Sequence, residues 1–297
     1  MSKKFLTYED ILATVRAGKK IPSTGIKLLT PLAREYLDKH PEIIGDENMR
    51  KPLIAGNWKM HMTLQEAVKL VSFLKEKLQG VSDREILVCP PFTAIAILKE
   101  ILKGSNIRIG GQNCHFEGKG AYTGEISPVM LKDLGCDYVI VGHSERRQYF
   151  KETDEFVNKK MKAVFSTGLV PIVCVGETLK EREDNITFKV IENQVKAGLA
   201  GLEKESAEKL VCAYEPVWAI GTGKTAKPEQ AEEVHAVIRK LLGGIYGDEI
   251  SGRIRILYGG SVKPENMKEL MACPNIDGGL VGGASLDGES FVKIVDY

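Results

Sequence analysis

Three side chains suited to acid–base chemistry come at the ends of short apolar segments of the sequence. Glu215 ends one such segment, where partial desolvation raises the basicity of a carboxylate that could remove a proton from carbon. His143 precedes a predicted helix, whose positive N-terminal end favours a neutral imidazole that can donate to a carbonyl oxygen and stabilise an enediolate. Lys59 adds a cation two residues beyond the first segment, and Glu145 could hold it in place.

Each of these residues also has a structural interpretation. Glu215 could cap a helix or form a salt bridge, His143 could be a packed structural residue, and Lys59 could be a solvated surface lysine. The catalytic interpretation requires that the three meet, and they meet only if the segments before them are strands of one sheet.

Glycine-rich turns follow the last two apolar segments. They read Gly259-Gly260-Ser261 and Gly282-Gly283-Ala284-Ser285. Glycine allows the backbone to approach an anion closely, and barrel enzymes often bind phosphate with the turns after their last two strands. The pair of turns therefore predicts a phosphate site.

The segment between Glu215 and the next predicted helix has the character of a lid. Residues 216–224 include the apolar side chains of Trp218 and Ile220, although the segment must lie at the surface. Such residues would be exposed unless the segment folds down over the candidate base. Ordinary packing against a neighbouring loop is the alternative.

The elements that would position these residues form a repeated pattern from residue 51 onward. Eight short β-rich segments alternate with amphipathic stretches, at residues 53–57, 86–89, 107–112, 138–142, 170–175, 210–215, 254–258 and 277–281. Continuously apolar strands that alternate with helices indicate a parallel sheet with helical crossovers. Eight units predict an α/β fold of the (β/α)8-barrel type, with the site at the carboxyl ends of its strands. An open doubly wound sheet is the alternative, but the first turn, Gly56-Asn57-Trp58-Lys59, lacks its glycine pattern.

Composition narrows the function classes. The 297 residues carry a formal net charge of +1, which does not suggest a nucleic-acid partner. None of the six cysteines forms a C-x-x-C pair, so we expect no metal site and reduced thiols in a cytoplasmic protein. The sequence contains neither a secretory leader pattern nor an apolar run of membrane-spanning length, so no membrane association is expected.

Five motifs together resemble the triosephosphate isomerase family. They occur in family order from residue 49 to the C-terminus, as residues 56–60, 142–147, 213–224, 258–262 and 281–286. The resemblance implies a (β/α)8 barrel, also called a TIM barrel, and a homodimer without a cofactor. It implies interconversion of D-glyceraldehyde 3-phosphate and dihydroxyacetone phosphate, a step of glycolysis and gluconeogenesis.

The resemblance also implies roles for individual residues. Glu215 looks like the base, His143 like the electrophile, and Lys59 like the electrostatic stabiliser. The implied substrate-binding and supporting residues are Asn57, Lys59, Gly221, Ser261, Gly282 and Gly283, with Glu145 and Thr123. Thr123 lies in a loop, residues 112–125, that resembles the family's arm into the partner subunit's site. A catalytically inactive phosphate-binding or scaffolding barrel is the second hypothesis, and a barrel enzyme with different chemistry is the third.

Residues 1–48 lie outside the family pattern and form a predicted N-terminal extension, so the domains are expected to be 1–48 and 49–297. Thr7 could cap a helix over residues 8–17, and Thr30-Pro31 could open a second one over residues 32–39. The stretch 21–37 weakly resembles segments at the front of bacterial microcompartment enzymes. The extension is therefore expected to be a targeting or docking segment for a protein partner, with a disordered tail as the alternative.

Overall fold

The computed structural model describes residues 6–16, 29–40, 43, 50–219 and 226–297. The chain divides into two compact units, Met1–Arg50 and Lys51–Tyr297. Gly221 and most of the predicted lid, as well as the loop predicted between the two N-terminal helices, lie outside the described residues.

The larger unit is a closed barrel of eight parallel strands that pair in sequence order, with the last strand returning to the first. The strands are β1 Leu53–Asn57, β2 Glu85–Cys89, β3 Ile107–Gly111, β4 Tyr138–Val141, β5 Val170–Val175, β6 Val211–Tyr214, β7 Arg255–Tyr258 and β8 Gly278–Val281. The predicted barrel is confirmed, and every predicted strand end lies within one residue of the observed end. Because all strands run the same way, their carboxyl ends form one rim.

In the larger unit, helices surround the barrel and fill the connections between strands. In chain order the helices of both units are α1 Tyr8–Arg16, α2 Pro31–Lys39, α3 Leu64–Lys77, α4 Phe92–Ile101, α5 Pro128–Asp133, α6 Ser144–Phe150, α7 Asp154–Ser166, α8 Leu179–Glu183, α9 Thr187–Gly198, α10 Lys204–Ala207, α11 Pro228–Tyr246, α12 Asp248–Ser251, α13 Pro264–Met271 and α14 Gly288–Val295. Thr63 and Glu66 form a capping box at the start of α3, so the first turn of this helix is fixed by local sequence.

Two apolar layers hold the barrel together. Side chains at alternate strand positions, such as Leu53 and Ala55, fill the interior together with Leu87, Ile140, Ile172 and Leu257. The intervening positions, such as Ile54, face the helices and join a larger outer core. Burial of both strand faces explains the continuous apolar segments of the sequence.

The smaller unit has an apolar cluster of its own. Ile11 from α1 packs with Ala33 and Leu37 from α2, and the ring of Tyr8 meets that of Tyr36 edge-on at 5.0 Å. The side chain of Thr7 accepts a hydrogen bond from the N–H of Asp10 at the start of α1, as the sequence predicts for a helix cap. The cluster is small, because only three side chains of the described part of this unit are buried hydrophobics.

Within the described part of the chain, every helix is too short or too polar to cross a bilayer.

Candidate active site

The carboxyl ends of the strands enclose a cavity of about 280 Å³. Seven of the ten predicted site residues line it: Asn57, Lys59, His143, Glu215, Ser261, Gly282 and Gly283. They come from the ends of β1, β4, β6, β7 and β8, so residues far apart in sequence meet because the barrel closes. Glu145 does not line the cavity but contacts Lys59.

Glu215 and His143 contact each other directly. Oε1 of Glu215 lies 2.8 Å from Nε2 of His143, and Oε2 accepts a hydrogen bond of 2.8 Å from the N–H of Ser144. Both side chains are almost fully buried, with 2% and 6% exposure respectively. Each carboxylate oxygen therefore has a donor, although the site is largely shielded from water.

The pKa of Glu215 differs from the expectation based on burial alone. Burial by itself raises the pKa of this carboxyl group. The His143 ring, the N–H of Ser144 and the Lys59 ammonium outweigh burial and bring the pKa below its ordinary value. The sequence-based argument for raised basicity was wrong for this arrangement, because a strand pattern does not show which donors surround a carboxylate.

His143 is held by both of its ring nitrogens. It caps α6, with Nδ1 accepting a hydrogen bond of 3.2 Å from the N–H of Glu145. A nitrogen that accepts carries no proton, so the proton of the neutral ring lies on Nε2 and faces Glu215. Burial lowers the pKa of His143, whereas the neighbouring Glu215 carboxylate raises it by a larger amount. The net pKa therefore lies above the ordinary value of an imidazole while the pair is formed. This electrostatic effect opposes the helix-end effect expected from the sequence.

Lys59 has an unusual backbone conformation. Its φ of +53° lies in the left-handed region, which costs a non-glycine residue about 1–2 kcal/mol. Its N–H donates to Oδ1 of Asn57 at 3.1 Å, and its Nζ lies 2.6 Å from Oε1 of Glu145. Strain of this kind persists where several contacts fix a residue, and it is concentrated at functional sites.

The glycine turns after β7 and β8 allow close packing beside the cavity. A Cβ on Gly259 would lie 2.9 Å from Cγ of Glu215, so a larger residue would displace the carboxylate. A Cβ on Gly282 would contact the Lys59 side chain at 3.5 Å, whereas one on Gly283 would meet nothing within 4 Å. The 3-10 helix Gly283–Leu286 begins at this open backbone.

The first part of the predicted lid is described, and it is anchored. Val217–Ala219 forms a 3-10 helix, and the indole N–H of Trp218 donates to Oε1 of Glu177 at 2.9 Å. Tyr214 and Arg182 contact the same oxygen, each at 3.1 Å. Trp218 is half-buried rather than exposed, so its apolar surface already packs against the barrel.

Glu177 and Ser144 follow β5 and β4, and the sequence analysis assigned them no role. Glu177 is fully buried beneath the start of the lid, and Ser144 contributes its backbone N–H to Glu215. Their position directly after strands was the available signal. Because nearly every residue type carries a backbone N–H, the sequence could not predict the contact between Ser144 and Glu215.

Thr123 does not line the cavity of its own chain. It lies in the stretch 117–125, in which every residue is exposed. The ring of Tyr122, next to Thr123, packs on His115 at 4.3 Å, which gives this loop a defined shape.

The described residues contain no group of three or more His, Cys, Asp or Glu side chains arranged to hold a metal ion. The cavity presents a carboxylate, an imidazole and an ammonium group, together with glycine backbone. These groups can move a proton and bind an anion.

A closed parallel barrel with a buried carboxylate–imidazole pair at its carboxyl end defines the chain as a (β/α)8-barrel enzyme of the acid–base class. The family model described as triosephosphate isomerase matches residues 52–297. The chain belongs to the triosephosphate isomerase family.

Individual relatives agree with this assignment. The triosephosphate isomerase of Endomicrobium trichonymphae is 62% identical over 249 residues, which are 84% of this chain and 99% of that protein. That of Carboxydothermus hydrogenoformans is 62% identical over 247 residues, 83% of this chain and 98% of that protein. A crystal structure of triosephosphate isomerase from Bartonella henselae, 42% identical, matches with a TM-score of 0.76 over 83% of this chain and 98% of that one.

The N-terminal extension lies outside the family match, which begins at Pro52. The relatives described above lend no support to the microcompartment association that the sequence suggested.

Proposed function

We propose that the chain interconverts D-glyceraldehyde 3-phosphate and dihydroxyacetone phosphate, as a triosephosphate isomerase of glycolysis and gluconeogenesis. The observation that carries the proposal is the 2.8 Å contact between Glu215 and His143 inside a cavity that also holds Lys59 and two glycine turns. The family assignment of residues 52–297 supports the same chemistry.

Glu215 is the base in this proposal. Its carboxylate removes a proton from C1 of dihydroxyacetone phosphate, and the electron pair of the C–H bond moves toward the C2 carbonyl to form an enediolate. The protonated Glu215 then returns a proton to C2 while the hydroxyl proton of O1 moves to O2, which gives glyceraldehyde 3-phosphate. The electrons stay on the substrate throughout, so the reaction needs no external oxidant or reductant.

His143 donates from Nε2 to the substrate oxygens on which negative charge develops. In the structure this proton faces Glu215, so the bound substrate must separate the pair. Separation removes a contact that lowers the pKa of Glu215, whereas burial continues to raise it. Substrate binding would thus strengthen the base at the moment when it is used.

Lys59, Asn57 and the glycine turns hold the anionic substrate. The ammonium of Lys59 neutralises charge on the phosphate and the enediolate, with Glu145 keeping it in position. Ser261, Gly282 and Gly283 face the cavity and would bind the phosphate, together with Gly221. Closure of residues 216–224 would exclude water and so protect the enediolate from loss of phosphate.

We also propose a cytoplasmic homodimer in which Thr123 approaches Asn57 and Lys59 of the partner subunit. The exposed stretch 117–125 supports this arrangement. Exposed apolar side chains on the same unit support it too, namely Met60 at 95%, Phe150 at 65%, Val129 at 52% and Met130 at 50% exposure. Sedimentation over a range of protein concentrations tests it, and an active monomer at all concentrations would contradict it.

Residues 1–48 and 49–297 are proposed as separate domains, the first of which docks to a protein partner. The apolar cluster within the small unit supports a folded module.

A coupled assay tests the enzymatic proposal. Glyceraldehyde 3-phosphate is supplied, and dihydroxyacetone phosphate is detected through NADH oxidation by glycerol-3-phosphate dehydrogenase. We expect rapid turnover by the full chain. A folded chain that binds inorganic phosphate but gives no turnover would instead support the inactive phosphate-binding barrel.

A further inference from the structure

Gln112, directly after β3, joins two backbone carbonyl groups at the carboxyl rim. Its Nε2 donates to the carbonyl oxygen of Lys59 at 2.7 Å and to that of Cys89 at 2.9 Å. Because both partners only accept, the side-chain atom facing them must be the amide nitrogen. Both of its N–H groups are therefore used.

The same carbonyl of Cys89 also accepts from the N–H of Trp58 at 3.1 Å. The turn after β1 is consequently fixed to the end of β2 by its own backbone and by the side chain of Gln112. Trp58 is fully buried, which prevents this turn from moving outward.

Lys59 depends on this turn because its backbone is left-handed, with a φ of +53°. Its N–H donates to Oδ1 of Asn57 at 3.1 Å. Among the described side chains, that of Gln112 donates a hydrogen bond to its carbonyl oxygen. Relaxation of φ to an ordinary value would turn the Cα–Cβ bond and redirect the whole side chain. The ammonium group would then leave its place between Glu145 and the turn at Gly282.

We propose that Gln112 is a positioning residue that holds the Lys59 backbone in its left-handed conformation and so aims the ammonium group into the cavity. Gln112 itself is not among the residues that line the cavity. The inference rests on the proposed isomerase function, in which Lys59 contacts the anionic substrate.

The substitution Gln112→Glu tests the proposal with the least change of shape. Glutamate has the same length; its ionised form has no donor and its protonated form has one, so at least one of the two hydrogen bonds to the carbonyl oxygens is lost in either state. Gln112→Met, which removes the donors without adding a charge, is the second variant if Gln112→Glu does not fold.

The chain offers a matched control at the opposite end of the same strand. Nδ2 of Asn106, just before β3, donates to the carbonyl oxygens of Leu78 at 2.8 Å and Val81 at 2.7 Å. Asn106→Asp removes the same kind of two-carbonyl bridge far from the cavity. A loss that comes only from loosening the fold should therefore appear in both variants.

The experiment measures kcat and KM for glyceraldehyde 3-phosphate and the inhibition constant of inorganic phosphate for each variant. We expect Gln112→Glu to lower kcat/KM about 10- to 100-fold and to weaken phosphate inhibition, because a misdirected cation affects both. Asn106→Asp should change kcat/KM less than about threefold.

A Lys59→Met background separates positioning from other effects. If Gln112 acts through Lys59, Gln112→Glu should cost less than about threefold in kcat/KM once the ammonium group is absent. An equal loss in both backgrounds, or an equal loss from Asn106→Asp, would overturn the proposal. Absence of turnover by the wild-type chain would instead refute the proposed function itself.

Discussion

Shortening the candidate base by one methylene tests how closely the barrel fixes it. In the substitution Glu215→Asp the carboxylate withdraws by about 1.5 Å, the length of one C–C bond. The 2.8 Å contact of Oε1 with His143 Nε2 would then be lost unless the backbone moved forward.

The structure prevents such a compensating movement. The N–H of Glu215 donates to the carbonyl oxygen of Val175 at 2.8 Å, which ties it to the end of β5. A Cβ on Gly176 would lie only 1.8 Å from the carbonyl oxygen of Glu215, so the two strand ends already touch. Because the backbone cannot move forward, the shortened side chain leaves the carboxylate displaced from its place in the cavity.

The expected cost follows from this distance. A displacement of about 1 Å can lower the rate of a positioned reaction about 100-fold, so Glu215→Asp should lower kcat about 100- to 1,000-fold. This loss corresponds to about 3–4 kcal/mol of transition-state stabilisation. KM should change less than about threefold, because the proposed phosphate contacts come from other strands.

The coupled assay measures this loss, and Glu85→Asp is the matched control. Glu85 lies at the opposite end of the barrel, where its Oε2 contacts Arg255 at 2.7 Å. The control should keep kcat within about twofold of the wild type. A folded Glu215→Asp enzyme with kcat within threefold of the wild type would refute the reasoning.

Three further predictions concern other parts of the chain. His143→Gln should lower kcat about 100-fold with a smaller change in KM, because a weaker donor meets the charge of the enediolate; unchanged steady-state turnover would contradict this. His235 is buried, and this burial lowers its pKa to about 3. Between pH 6.5 and 3 a proton therefore binds to this imidazole only in the unfolded chain, so the stability of the folded chain falls as the pH falls through that window. The free energy of unfolding, measured in urea at a fixed protein concentration, should fall between pH 7 and pH 5 by about 2 kcal/mol more in the wild type than in His235→Gln. Equal losses in the two proteins would disprove the assignment. Deletion of residues 1–48 should leave kcat unchanged in the coupled assay while abolishing capture of a docking partner, whereas loss of turnover would assign the extension a folding or catalytic role.

The barrel could be predicted because its strands have an unusual composition. A parallel strand covered on both faces must be apolar throughout, so β4 and β5 appear in the sequence as uninterrupted apolar segments. Glycine, proline and capping residues then separate these segments from the helices, as Thr63 and Glu66 do for α3. The candidate site followed from the rule that parallel strands end at one rim.

The direct contact between Glu215 and His143 could not be predicted in the same way. The sequence places both residues on the rim but gives no distance between them, and this distance determines whether burial or pairing sets the pKa of Glu215. Gln112 had no predicted role for a similar reason. Its partner is a backbone carbonyl, and every residue type carries one.

The sequence by itself determined the alternation of strands and helices, the family and the residue types that gather at the rim, because apolar pattern and local caps act over a few residues. Only the tertiary structure decided which donors surround the carboxylate of Glu215 and that the backbone of Lys59 is left-handed. It also decided that the indole of Trp218 donates to Glu177. These features depend on contacts across neighbouring strands and the loops after them. Their energies are set by distances of a few ångströms between residues that lie tens of positions apart in the chain.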